Sequence, residues 1–199
     1  VEKETLLRCY RQGQRDFRGV ILHGEQFDEA NLAGIDLSGA ELSCCSFRSA
    51  NLYRASFRNA KLHHVVLSGA NLLAACLACA MLVGCMLTSA NLSFADLCSA
   101  NLKGADLSRC SARFADLRNA MLEDAEFEYS NLTGSNLCGA NLFGASLYKA
   151  CLYDARLQGA DLRIADLRGA VTAGVDWRRV DTSKSIWTDG QLWDDRWLR

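Results

Sequence analysis

The sequence predicts an all-β solenoid, in which the chain winds repeatedly around one narrow apolar interior. Three observations predict it. From Phe17 through Leu167 every fifth residue is large and apolar: of 31 such positions 25 are Leu, five are Phe (Phe17, Phe27, Phe47, Phe57 and Phe127), and only Ala112 departs. Two residues before each of these runs a column of small side chains. Between Ala30 and Ala170, Ala fills 22 of its 29 positions, and the others are Ile35, Cys45, Val65, Cys85, Cys110, Ser130 and Ser135. Finally, Gly recurs just ahead of the small column, as at Gly34, Gly39, Gly69, Gly104 and Gly144, and the 199 residues contain no Pro.

A period of five fits neither regular element. At about 100° per residue, five helical steps advance about 500°, so the Leu residues would spiral around a helix. A continuous strand, with its period of two, would flip the Leu face at each repeat. The chain must therefore turn once per repeat. The small residue and the Leu are two apart, so on a short extended segment both point inward, and their neighbours point outward. Gly supplies the backbone freedom of a corner, and the lack of Pro leaves every N–H able to donate between coils.

The elements follow in order. Residues 1–15 are expected to form an N-terminal helical cap, because Leu6, Leu7, Cys9 and Tyr10 fall at helical spacing before Gly13, a C′ stop. Residues 16–175 form the repeat body. Asn31, Asn51, Asn71, Asn91 and Asn131 recur at twenty, with Ser111 in the gap, so four repeats per coil is the simplest reading, with Asn stacked on Asn. Ancestral duplication of a twenty-residue unit would leave the same trace. Residues 176–199 are expected to be a C-terminal cap, partly helical over Asp189–Leu198, because the small column lapses and all four Trp appear there: Trp177, Trp187, Trp193 and Trp197. Trp is too large to stack within so narrow a core. These aromatics either close the last coil or form a dimer contact.

The tandem A-(N/D)-L-x-x pattern, as in Ala30-Asn31-Leu32-Ala33-Gly34 and Ala105-Asp106-Leu107-Ser108-Arg109, resembles the signature of pentapeptide repeat proteins over about three quarters of the chain. The resemblance implies a right-handed, four-sided parallel β-helix, here of about eight coils. It also implies a family abundant in cyanobacteria, most of whose members have no established biochemical role. A minority resemble duplex DNA in shape and charge and bind DNA gyrase.

Composition narrows the function. With 22 Lys+Arg against 23 Asp+Glu and a formal charge of −1, there is no net field to hold a phosphate backbone or to imitate one. On the twenty-residue register, Asp28, Asp106, Glu126 and Glu128 share a side with Arg48, Arg109, Lys149 and Arg168, and Asp96 and Asp116 share another with Arg58 and Arg118. No side is single-signed. Neither a transmembrane helix nor a secretory leader is visible in residues 1–19, which carry Glu2, Lys3, Glu4, Arg8 and Arg11. The chain starts at Val rather than Met, which is compatible with removal of a leader. Ten Cys, no two of them twenty apart, argue against a disulfide ladder and for a reducing cytoplasm. Cys45, Cys85 and Cys110 read as small core residues. Cys79 and Cys98, nineteen apart, could meet diagonally and are the pair expected to oxidise if any does.

Candidate chemistry is sparse. Cys76 and Cys79 are spaced C-x-x-C, without a second pair to complete a zinc tetrahedron. His23 and His63 share a column two coils apart, and His64 stacks over Cys44; no metal or other cofactor is expected from so loose a group. Asp36, Asp96 and Asp116 share a column and read as solvated ladder members, and no nucleophile elbow or phosphate loop is present, so an enzyme is not expected. Tyr53, Leu73, Phe94, Phe114 and Tyr153 would lie along one side as a candidate partner surface. Phe114 could instead turn inward to fill the place left by Ala112. The expected function is a non-catalytic structural or protein-interaction scaffold, binding a protein and neither nucleic acid nor membrane, as a monomer or a dimer through the C-terminal end. A gyrase-binding DNA mimic is the alternative, and a metal protein or enzyme comes third.

Overall fold

The computed structural model describes residues 2–189. From Asp16 to Ile186 the outward residues preceding the Leu or Phe positions form parallel bridges with the residues twenty positions on, as in Asn31 with Asn51 and Asn51 with Asn71, interrupted only between Arg156 and Asp176. One turn of the solenoid therefore takes four pentapeptides. The walls consist of single bridging residues between turns rather than extended strands.

With the outward residue numbered 1 and the Leu numbered 2, the backbone donors of one repeat can be followed completely. In the repeat of Asn51, the position-1 N–H donates to Ala30 in the coil below at 2.9 Å, and that of Leu52 to Asn71 in the coil above at 2.8 Å. The N–H of Arg54 donates to Leu73 at 3.0 Å, and Ala55 closes the turn onto Leu52 at 3.0 Å. Only the position-3 donor lacks a backbone partner. It is taken by the side chain two residues earlier: Tyr53 N–H donates to Asn51 Oδ1 at 3.3 Å. The same bond recurs from Ser38 to Asp36, from Cys98 to Asp96 and from Thr133 to Asn131. The preference for Asn or Asp before each Leu is thus a hydrogen-bonding requirement of the turn.

The interior is continuous. The Leu and Phe residues from Phe17 to Leu167, together with Ala112, are all buried, as are the small residues beside them from Ile35 onward. Phe27 and Phe47, one coil apart, stack at 5.0 Å, and Phe57 meets Phe47 edge-on at 6.2 Å. Phe114 does not turn inward. It stays outside and stacks on Phe94 at 5.3 Å, because its backbone sits at the left-handed corner (φ 56) and aims the side chain out of the shaft. Phe127, fully buried, lies on a neighbouring wall within one turn of Ala112.

At the N-terminal end α1, Lys3–Arg11, lies against the first turn. Leu6 enters the core, with Leu7, Cys9 and Tyr10 packed on its margin, and the Tyr10 hydroxyl donates to the Ala33 carbonyl at 2.8 Å. At the other end Thr172, Trp177, Thr182 and Trp187 hold four successive Leu positions. The two Trp come from opposite walls, half-buried against the core, with rings 4.7 Å apart edge to face. The narrow shaft accepts them because Thr on the other two walls leaves room. Here the register loosens: the ladder skips Arg156 and Asp176, and Gly159 donates to Arg179 rather than Arg178. Trp193, Trp197 and the helical pattern expected over Asp189–Leu198 lie outside the described residues, apart from Asp189 itself.

Candidate functional site

Everything available to a partner is carried by the outward positions. The bridging residue and the two turn residues of each repeat form walls and corners, and the turn residue at position 4 has positive φ throughout. That corner is occupied by non-glycine residues at many places, among them Arg54, Ala74, Phe94 and Lys149. Their side chains run up the corner over the next coil. A β-carbon added at Gly134 would fall 2.5 Å from the Phe114 ring, at Gly84 2.7 Å from His64 Nδ1, and at Gly169 3.0 Å from Lys149 Cγ. At these places Gly, twenty residues on, leaves the room that the bulky corner residue below takes up, whereas Phe94 is followed by Phe114 and Tyr129 by Lys149.

The charged walls neutralise themselves. Asp16, Asp116, Asp161, Asp166 and Asp176 each pair with the Arg two residues on, through the guanidinium Nε and a terminal nitrogen, with closest contacts of 2.6–2.7 Å. The Arg hydrogen bonds hold these carboxyls below the usual carboxylate range, to about 2 at Asp16 and Asp176. In the column of Asp36, Asp96 and Asp116, every carboxylate is engaged by its own turn. This Asp-x-Arg spacing was open to view in the sequence, yet attention to charge twenty residues apart passes over it.

One wall differs. Its bridging residues are Asn31, Asn51, Asn71, Asn91, Ser111, Asn131, Cys151 and Val171, without a charge among them. Asn51 donates to Asn31 at 3.0 Å, Asn71 to Asn51 at 3.2 Å and Asn91 to Asn71 at 3.4 Å, the amide ladder the spacing suggested. The corner bordering it carries Tyr53 and Leu73, half-buried, then Phe94 (60% exposed) and Phe114 (49%), and finally Tyr153 (48%). Only the two Phe rings are brought into contact. Tyr53 lies under the Arg54 guanidinium at 5.0 Å, Arg113 is 5.8 Å from the Phe114 ring, and the Tyr153 carbonyl accepts from Gly134. Around the same height the chain has no charged residue from Leu62 to Ala95. In a solenoid that stretch becomes an uncharged collar, with Met81, Met86 and Phe94 exposed on different sides of it.

A second aromatic cluster was not anticipated. Tyr129 and Tyr148 meet edge to face at 5.7 Å. Lys149 Nζ lies 5.1 Å from the Tyr148 ring, Arg109 5.5 Å from Tyr129 and Arg168 5.6 Å from Tyr148. The twenty-residue step from Arg109 through Tyr129 to Lys149 was the signal.

All ten thiols are free. Burial pushes Cys85 and Cys110 up to about 12 and raises Cys45, as small core residues require. His64 leans toward Gly84 rather than back over Cys44. Among the described residues no three His, Cys, Asp or Glu side chains are grouped to hold a metal, and no helix is long and apolar enough to cross a membrane.

Comparison with known proteins gives a consistent picture of the fold. The family profile described as "Pentapeptide repeats" matches in eight copies, with matched segments at 30–69, 50–88, 66–104, 90–128, 100–137 and 122–159. No curated protein matches the chain. Among solved structures, trypsin-treated QnrB1, a plasmid-mediated fluoroquinolone resistance protein, is 22% identical with a TM-score of 0.72, over 85% of this chain and 86% of that one. HetL, a pentapeptide repeat protein involved in heterocyst differentiation regulation from the cyanobacterium Nostoc sp. strain PCC 7120, is 31% identical over 97% of this chain and 100% of its own, with a TM-score of 0.36.

Proposed function

The chain belongs to the pentapeptide repeat family, and from that premise we propose that it works without catalysis, as a rigid rod that holds a partner protein against one side. The rod is right-handed, about eight coils long, closed by α1 at one end and by the Trp-bearing residues at the other. The ladder of twenty-residue steps and the packing of Leu6, Trp177 and Trp187 support this reading. The partner surface is the corner of Tyr53, Leu73, Phe94, Phe114 and Tyr153 together with the Asn wall beside it.

One observation carries the assignment. Phe94 and Phe114 stack on each other in solvent, beside a wall without charge, on a molecule whose ion pairs all lie, among the described residues, on the other three walls. Exposed aromatics on a flat, uncharged surface are what a protein interface uses as anchors. Ten free thiols support a reducing compartment such as the cytoplasm. The alternative, a DNA mimic that protects a topoisomerase, needs long acidic faces, and the Asp-x-Arg pairs cancel them.

Affinity capture from source cells with the wild-type chain and with a folded Phe94→Ser/Phe114→Ser variant tests the assignment. A partner held by the wild type should bind the variant at least about tenfold more weakly, since anchor residues each carry about 2 kcal/mol or more. Equal retention would move the interface elsewhere. Protection or inhibition of gyrase supercoiling by the wild type would instead favour the DNA-mimic reading.

A further inference from the structure

We propose that Cys79 and Cys98 are a peroxide-sensitive dithiol that forms a reversible disulfide between two successive coils. The backbone places them together. Cys79 N–H donates to the Cys98 carbonyl at 3.0 Å, a bond that sets the two α-carbons about 6 Å apart, inside the range a disulfide spans. No other two cysteines among the described residues share a backbone hydrogen bond.

The corner geometry directs Cys79 toward the same coil. Cys79 occupies the left-handed corner (φ 58), where His64, Phe114 and Asn119 each extend over the residue twenty positions on. For Cys79 that residue is Ser99. The Cys98 Sγ lies 3.8 Å from the Ser99 Oγ, on the residue that the Cys79 corner faces. Cys79 is exposed and Cys98 half-buried, so an oxidant reaches Cys79 first, whereas Cys45, Cys85 and Cys110 are sealed in the core.

The chemistry balances with hydrogen peroxide as oxidant. The Cys79 thiolate attacks the peroxide oxygen, the O–O bond breaks, and Cys79 becomes a sulfenic acid with release of one water. The Cys98 thiolate then attacks the Cys79 sulfur. The S–S bond forms as the S–O bond breaks, and a second water leaves. Two thiols lose two electrons and two protons to one peroxide, and a small thiol reductant reverses the step. The bond closes a loop at the edge of the uncharged collar and pins neighbouring coils at that corner.

Dilute, fully reduced protein treated with stoichiometric hydrogen peroxide tests the proposal. Intact mass should fall by two hydrogen atoms, two thiols should disappear, and the melting temperature should rise by several degrees, all reversed by dithiothreitol. Trypsin leaves both residues in one peptide, because no Lys or Arg lies between Lys61 and Lys103; chymotryptic mapping should place the link at Cys79 and Cys98. Cys98→Ser should abolish the two-hydrogen loss and leave a dimedone-reactive sulfenic acid at Cys79, and Cys79→Ser should abolish both. Both variants replace turn residues at the surface, and circular dichroism checks their fold. A two-hydrogen loss that persists in Cys98→Ser, a link mapped to another pair, exclusively intermolecular disulfides, or no consumption of thiols would each overturn the proposal.

Discussion

Ala112 shows how little slack a single position has. It stands where every neighbouring coil has Leu, it is buried, and Phe114 does not reach in to cover it. The fully buried ring of Phe127, three repeats on and on the adjacent wall, is expected to take up that volume. Restoring the missing Leu should therefore do harm. Ala112→Leu alone is expected to overpack and cost about 1–3 kcal/mol, and Phe127→Leu alone to cost about 1 kcal/mol through lost packing. Together they should recover most of the loss, a coupling of at least about 0.5 kcal/mol in a double-mutant cycle read from urea unfolding. Additive losses would mean that the two side chains do not share space.

At the level of the pentapeptide, the corner is the costly part. A non-glycine residue in the left-handed region costs about 1 kcal/mol or more, and Ala74 adopts it (φ 56) as an exposed residue. Ala74→Gly should raise stability by up to about 1 kcal/mol, offset by the greater freedom of Gly in the unfolded chain. Gly34→Ala, where a β-carbon would meet nothing within 4 Å, should lower it by about 1 kcal/mol from backbone strain alone. Thermal melts of the two variants check both signs. The same repeat explains what could be read in advance. The spacing of Leu, Ala and Asn determines the coil, the core and the amide ladder because each depends on backbone periodicity alone. The direction of Phe114, the seating of Trp177 between Thr172 and Thr182, and the Asp-x-Arg pairs depend on side-chain geometry within one repeat. The proposed partner side was legible as outward residues, and the register separates its members: Phe94 and Phe114 stand at the fourth position, twenty apart, and stack, whereas Tyr53, Leu73 and Tyr153 stand at the third.

Over the whole molecule, charge is local and self-cancelling, and this governs the response to acid. The carboxyls of Asp116, Asp161 and Asp166 are held below their ordinary values by the neighbouring guanidinium groups. A carboxylate depressed on folding adds stability above its unfolded value, about 3.9, and loses that contribution as pH falls through the folded one. Unfolding midpoints in urea should stay level from pH 7 to about 5 and decline below about pH 4. Arg168→Met should make the decline shallower by no more than about 1 kcal/mol, because the pair is partly solvated. A chain whose neighbours are always twenty residues away also has a natural unit of inheritance. Removing any twenty consecutive residues from the middle rejoins one coil to the next with every wall still facing its own kind, so descendants of this gene can shorten or lengthen in whole storeys, whereas the loss of nineteen would turn leucines out of doors.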